Sequence, residues 1–234
     1  MPTMIFYVIG VMLLIYGAYF YFYINKKKKL ANAFDNLDMN TEMARANGYV
    51  SELLNKDYRF ITSQLKDTPV DAFISATTEY TSKDVAKDTA KDLLKSAATL
   101  GTVKFRTVQT PKFLVLSGDD LHLLDTDTDG NISNHLVFDK FRLQDSSIEE
   151  DPAQHTLQKQ MQAGGIKDMK RYKLNLAADG GAIPLVVYDF IIADPNNSAM
   201  AAFTSGADSL VKNRVAAKYF LKKLGELSPN LKTS

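Results

Sequence analysis

The first 24 positions hold the longest apolar run in the chain: Met4 to Ile24 reads MIFYVIGVMLLIYGAYFYFYI, 21 residues without a charge. A helix of that length rises roughly 30 Å, the thickness of a bilayer's hydrocarbon core, so the pattern predicts a transmembrane helix. No basic residue precedes the run and no small-x-small cleavage site follows it, so the segment is expected to stay attached. Lys26, Lys27, Lys28 and Lys29 come next, and the positive-inside rule then puts the N-terminus outside and the rest of the chain in the cytoplasm, at the cell membrane.

From Leu30 to about Leu100 the spacing is helical, broken at Gly48 and at Thr68-Pro69. Asn40 and Thr41 mark a helix start, with Val50, Leu53, Leu54, Ile61 and Leu65 as its buried stripe. A second helix is expected over Ser82 to Leu100, stopped by Gly101 and laced with Lys and Asp pairs on a solvated face. After Gly101 the period becomes two. Candidate strands are Val103 to Val108, Phe113 to Ser117, Leu121 to Asp125, His135 to Asp139, Phe141 to Gln144, Tyr172 to Ala177 and Ile183 to Ile192. Gly118-Asp119-Asp120, Asp129-Gly130-Asn131 and Asp179-Gly180-Gly181 supply turns. Between the fifth and sixth strands lies a polar stretch in which Asp151 and Pro152 open a short helix that ends before Gly164-Gly165. Asp208 to Leu227 closes the chain as a helix, with Leu210, Ala217, Leu221 and Leu224 near one face and Pro229 as its stop. The expected fold is α+β: residues 1–29 a transmembrane anchor with its basic cluster, 30–100 a helical region, and 101–234 an antiparallel meander or barrel with a C-terminal helix.

Composition narrows the function. The formal net charge of the 234 residues is +1, and with the four juxtamembrane lysines set aside residues 30–234 hold 24 basic against 27 acidic side chains. Nothing in that balance suits a nucleic-acid backbone. Cysteine is absent, which excludes disulfides, thiolate metal sites and thiol nucleophiles. No nucleotide-binding, hydrolase or zinc-protease motif is present, so no enzyme is expected.

The hairpin KFLVLSGDDLHLLD from Lys112 to Asp125, the run HLVFDKFRL from His135 to Leu143 and the terminal helix together resemble the pleckstrin-homology-like fold, including its bacterial and GRAM-type members, over about Gly101 to Leu227. That resemblance implies a barrel of about seven antiparallel strands closed by a C-terminal helix. It also implies a module that binds proteins, or phosphoinositides through basic residues near the first hairpin. Here Lys104, Arg106 and Lys112 stand in that region, in an order unlike the family's usual one.

Five further features bear on function. Asp125, Asp127 and Asp129, followed by Gly130 and Asn131, have the alternate spacing of an EF-hand-like calcium loop, but Leu136 occupies the place of the bidentate Glu. A solvated Asp-Gly hairpin turn is the competing reading of the same residues. His122 and His135 can meet across a hairpin without a zinc-ligand pattern around them, and Glu149, Glu150 and Asp151 form an acidic cluster in a polar segment. Lys26 to Lys29 can attract anionic lipid, and Gly10 and Gly17 can let helices approach closely. The leading functional expectation is a non-catalytic single-pass membrane protein whose cytoplasmic domain is a protein-interaction scaffold or accessory subunit, bound to another membrane protein or to its own copies. The alternative is a membrane-tethered sensor of calcium or of anionic lipid headgroups.

Overall fold

The computed structural model describes residues 2–66, 68–78, 110–153, 155–192 and 206–233, without the side chains of residues 2–5 and 8. The expected helix over Ser82 to Leu100, the strand over Val103 to Val108, and Lys104 and Arg106 lie outside the described residues.

A 34-residue helix, α1 (Pro2–Asp35), is followed by three short ones: α2 (Met39–Ala44), α3 (Ala46–Lys56) and α4 (Arg59–Gln64). The start of α2 lies just before Asn40 because Asp38 is its cap, accepting from the Asn40 amide at 3.1 Å and from the Thr41 hydroxyl at 2.5 Å. Four strands come next, β1 (Ala72–Thr78), β2 (Lys112–Ser117), β3 (Asp120–Thr126) and β4 (Ile132–Phe138). A 3-10 turn (Arg142–Asp145) leads to β5 (Ser147–Glu150), α5 (Thr156–Ala163), β6 (Arg171–Ala178), β7 (Gly181–Tyr188) and α6 (Ala207–Leu227).

All strand pairs are antiparallel, in the order β4-β3-β2-β1-β7-β6-β5. Among the described residues the expected meander is thus an open seven-stranded sheet with β4 and β5 at its edges, and not a closed barrel. Register sorts the side chains into two layers. Ile74, Leu114, Leu116, Leu123, Tyr172, Leu174, Leu185 and Val187 share one face by cross-strand pairing. They belong to the main core with Ala216, Ala217, Phe220, Leu221 and Leu224 of α6. On the opposite face Phe73 and Phe113 meet Tyr58 at ring distances of 4.9 and 5.6 Å, and Phe60 also reaches Phe113. Burial on both sides makes β1 and β2 near-continuous apolar runs.

A second cluster forms where β7 turns Val186 and Tyr188 away from the main core. There Leu30 of α1 packs with Met161, Ile166, Met169, Phe190, Ile192 and Leu210, and Phe34 joins from the next turn of the helix. Gly165, with φ of +104°, makes this docking possible: a Cβ on it would stand 3.1 Å from the Lys27 carbonyl oxygen. Lys167 reaches Asp35 at 3.1 Å, and the Arg214 guanidinium lies 5.5 Å from the Phe34 ring centroid.

Several expectations need correcting. Among the described residues no helix is long and apolar enough to cross a membrane. Tyr16, Tyr19, Tyr21 and Tyr23 place four phenol hydroxyls within the run and lower its mean hydropathy. The transmembrane anchor, the single-pass description and the cell-membrane localisation with its outside-to-cytoplasm topology are overturned by that finding. The strand expected over Phe141 to Gln144 is replaced by the 3-10 turn Arg142–Asp145, because the Asp139 carboxylate takes the Arg142 amide at 2.9 Å and its carbonyl takes the Leu143 amide. The short helix starts at Thr156 rather than beside Pro152, with the Gln158 side chain accepting from the His155 amide at 3.0 Å.

Candidate functional site

Among the described residues the most extensive exposed apolar surface is on α1. Its final turns are held by Leu30 and Phe34, so the preceding turns project from the fold as one continuous helix. Phe6, Tyr7, Ile9, Val11, Met12, Leu13, Leu14, Ile15, Tyr16, Tyr19, Phe20, Tyr21 and Phe22 are between 48% and 77% exposed. At 100° per residue these positions run all the way round the helix instead of forming one stripe. Gly10 and Gly17 lie on it with no atom within 4 Å of where a Cβ would be, so their surface is open to a close neighbour. Lys26, Lys27, Lys28 and Lys29 are exposed between this apolar part and the buried Leu30.

The proposed calcium ligands do not converge. Asp127 turns its carboxylate back on its own loop, accepting from the amides of Asp129 and Asn131 at 2.9 Å each, and these bonds hold its pKa below the ordinary carboxylate value. Asp125 is bound to Lys112 at 2.6 Å across the β2–β3 pair. That contact also neutralises Lys112, the one described member of the basic group near the hairpin. Among the described residues no group of three or more His, Asp or Glu side chains could hold a metal ion. Gly130, at φ +84°, completes a turn in which backbone amides fill the place of a cation.

His122 and His135 do meet: Nδ1 of the first lies 2.9 Å from Nε2 of the second. Register puts both on the sheet face opposite α6, the face of Phe73 and Phe113, near the β4 edge. Burial pushes both below the ordinary histidine value, and His135 adds to the lowering of His122. The acidic cluster is divided. Glu149 and Glu150 lie on β5, and Glu150 takes Lys170 at 2.7 Å, whereas Asp151 binds the buried Arg171 and reaches His155 at 3.2 Å.

Sequence reading missed a buried charge cluster at the end of β7. Asp189, 1% exposed, accepts from the Lys170 amide at 2.8 Å and lies 3.4 Å from Arg214 and 3.7 Å from Lys218. Burial raises its pKa against the pull of those cations. The spacing of Arg214 and Lys218 by four, one helical turn, is the only sign of it in the sequence. Comparison with family models, with curated proteins and with solved structures finds no match for this chain.

Proposed function

We propose that the protein is a non-catalytic interaction module, a scaffold or accessory subunit that assembles through α1 with helices of another protein or with its own copies. The observation that carries this reading is the ring of large apolar side chains from Phe6 to Phe22, exposed on every side of a helix whose far end is locked into the fold. A helix apolar all round is stable in water only when it is covered. One shallow groove covers one face, so the pattern favours an assembly that surrounds α1. Gly10 and Gly17, seven residues apart and open, give one side where a second helix backbone can approach.

The pleckstrin-homology-like resemblance belongs to this proposal. In its support stand two meanders, β1 to β4 and β5 to β7, joined through the β1–β7 pair, and a C-terminal helix packed on the core face. The assignment would begin at Ala72 instead of Gly101, with β1 as its first strand.

The chain has no cysteine, so a single Leu13→Cys substitution reports directly on self-association. Mild oxidation of the full-length variant in a gentle detergent should give a cross-linked dimer, and light scattering of the native chain a mass above one copy. If the chain is assembled with another protein, native extraction recovers the two in fixed ratio. A single copy without a partner, at every concentration and in several mild detergents, overturns the proposal.

A further inference from the structure

Between α6, β6 and the C-terminal residues lies a cavity of about 520 Å³, lined by Lys170, Tyr172, Asp189, Lys218, Lys222 and Lys232 among others. We infer that this cavity is a binding site for a small phosphate ester carrying two or more negative charges.

Charge is the first argument. The two carboxylates of the lining have partners outside it, Asp189 with Arg214 at 3.4 Å and Glu226 with Lys223 at 3.3 Å, and Lys170 of the lining is paired with Glu150 at 2.7 Å. Set against those pairs, and among the described residues, Lys218, Lys222 and Lys232 are three ammonium groups in excess around one opening. Lys218 and Lys222 stand only in loose contact with the same acids, at 3.7 and 3.9 Å. The chain as a whole is almost neutral at +1, so this local excess comes from the fold and not from composition. A concave site lined by one sign of charge concentrates ligands of the other sign.

Construction is the second argument. Lys222 follows Lys218 by one helical turn of α6, which brings both to the same opening. Lys232 arrives from the other side because the chain after α6 is tied down: the Ser228 hydroxyl donates to the Leu143 carbonyl, Asn230 donates to the Gln144 carbonyl, and Leu231 is fully buried. Gly225 permits this return. A Cβ there would stand 3.0 Å from Cα of Lys232, and glycine inside a helix costs about 1 kcal/mol relative to alanine.

Ligand class follows from the lining. The volume suits a small metabolite and exceeds a bare phosphate ion. Lysine ammoniums are compact point charges that suit tetrahedral oxyanions. Leu221 and the Tyr172 ring offer apolar contact to an organic part, and burial keeps the Tyr172 phenol protonated, its pKa pushed up to about 12, so its hydroxyl can donate.

The test is calorimetric titration of the full chain with fructose 1,6-bisphosphate, with citrate as a carboxylate of comparable charge. Saturable binding of the bisphosphate is expected, with citrate at least about tenfold weaker. Lys222→Gln with Lys232→Gln, both exposed side chains, should weaken bisphosphate binding about tenfold or more, the scale of one lost charge-assisted hydrogen bond. Lys27→Gln with Lys28→Gln, far along the chain on α1, should leave it unchanged. Absence of saturable heat at millimolar bisphosphate, equal binding of citrate, or full binding by the double cavity variant overturns the inference. Cross-linking of the Leu13→Cys chain reads the α1 assembly separately, so either proposal can fail alone.

Discussion

At the scale of single residues, the His122–His135 contact carries a pH dependence whose sign is fixed. Both rings have folded values below the ordinary 6.5, so the folded chain favours their neutral forms and the unfolded chain binds protons more readily. The contribution of the pair to stability is therefore complete above about pH 6.5 and is lost as pH falls from there towards the folded values. Denaturant midpoints taken between pH 7.5 and pH 5 should show that fall, and His135→Gln should flatten it by removing both one titrating ring and its effect on the other. An equal slope in the variant would show that other groups are responsible. The Asp127 loop makes a second prediction at this scale. Since its amides occupy the inward carboxylate and Lys112 holds Asp125, millimolar calcium should not move the melting temperature, whereas Asp127→Ala should lower it by removing the loop's own acceptor. The spacing of Asp125, Asp127 and Asp129 was legible in the sequence as a tight acidic loop, but a ligand set and a self-capped turn share that spacing. Only the direction of each carboxylate separates them.

At the scale of elements, α1 depends on a small contact. Gly165→Ala puts a Cβ against the Lys27 carbonyl and forces an L residue to a φ of +104°, at a cost of roughly 1–3 kcal/mol. Leu30→Ala removes the buried anchor itself, and core truncations of this kind cost about 2–5 kcal/mol. Either should raise amide exchange over residues 26–35 before the sheet is affected; unchanged protection there would mean that α1 is held elsewhere. Of the elements found in the sequence, β3, β6 and α6 have one dominant buried face, and β2 was marked by its short apolar run ending at the Gly118 turn. Those that periodicity missed fail for identifiable reasons. AFISATT in β1 is covered on both faces and does not alternate, and SIEE in β5 is an edge strand with a single apolar residue, Ile148. The stripe of Val50, Leu53, Leu54, Ile61 and Leu65 is buried as the spacing implied, although two breaks divide it among α3, α4 and the residue after them.

For the whole molecule, the α6 face holds the two halves of the sheet on one core. Phe220 is fully buried among residues of β1, β2, β6 and β7, and Phe220→Ala should destabilise by about 3–5 kcal/mol, visible as a single cooperative shift in the melting curve. Two separate transitions would show that the meanders fold independently. Of the candidate sites, the apolar segment of α1 was conspicuous in the sequence, though its expected environment was not upheld. The lysine-lined cavity was not visible there, because Lys170, Lys218, Lys222 and Lys232 come together only after the C-terminal residues fold back past Gly225.

Since α1 runs without interruption from its apolar turns into the packed Leu30 and Phe34, it also behaves as a keyed shaft. A helix turns about 100° with each residue, so whatever grips the apolar end sets the compass bearing of the entire sheet domain. One alanine inserted between Lys28 and Lys29 would swing the domain about a quarter of a turn, while seven would bring it back to within about 20° of its original heading. An activity that depends on where the domain faces should therefore rise and fall with the length of the insertion, in step with the helix and not with distance.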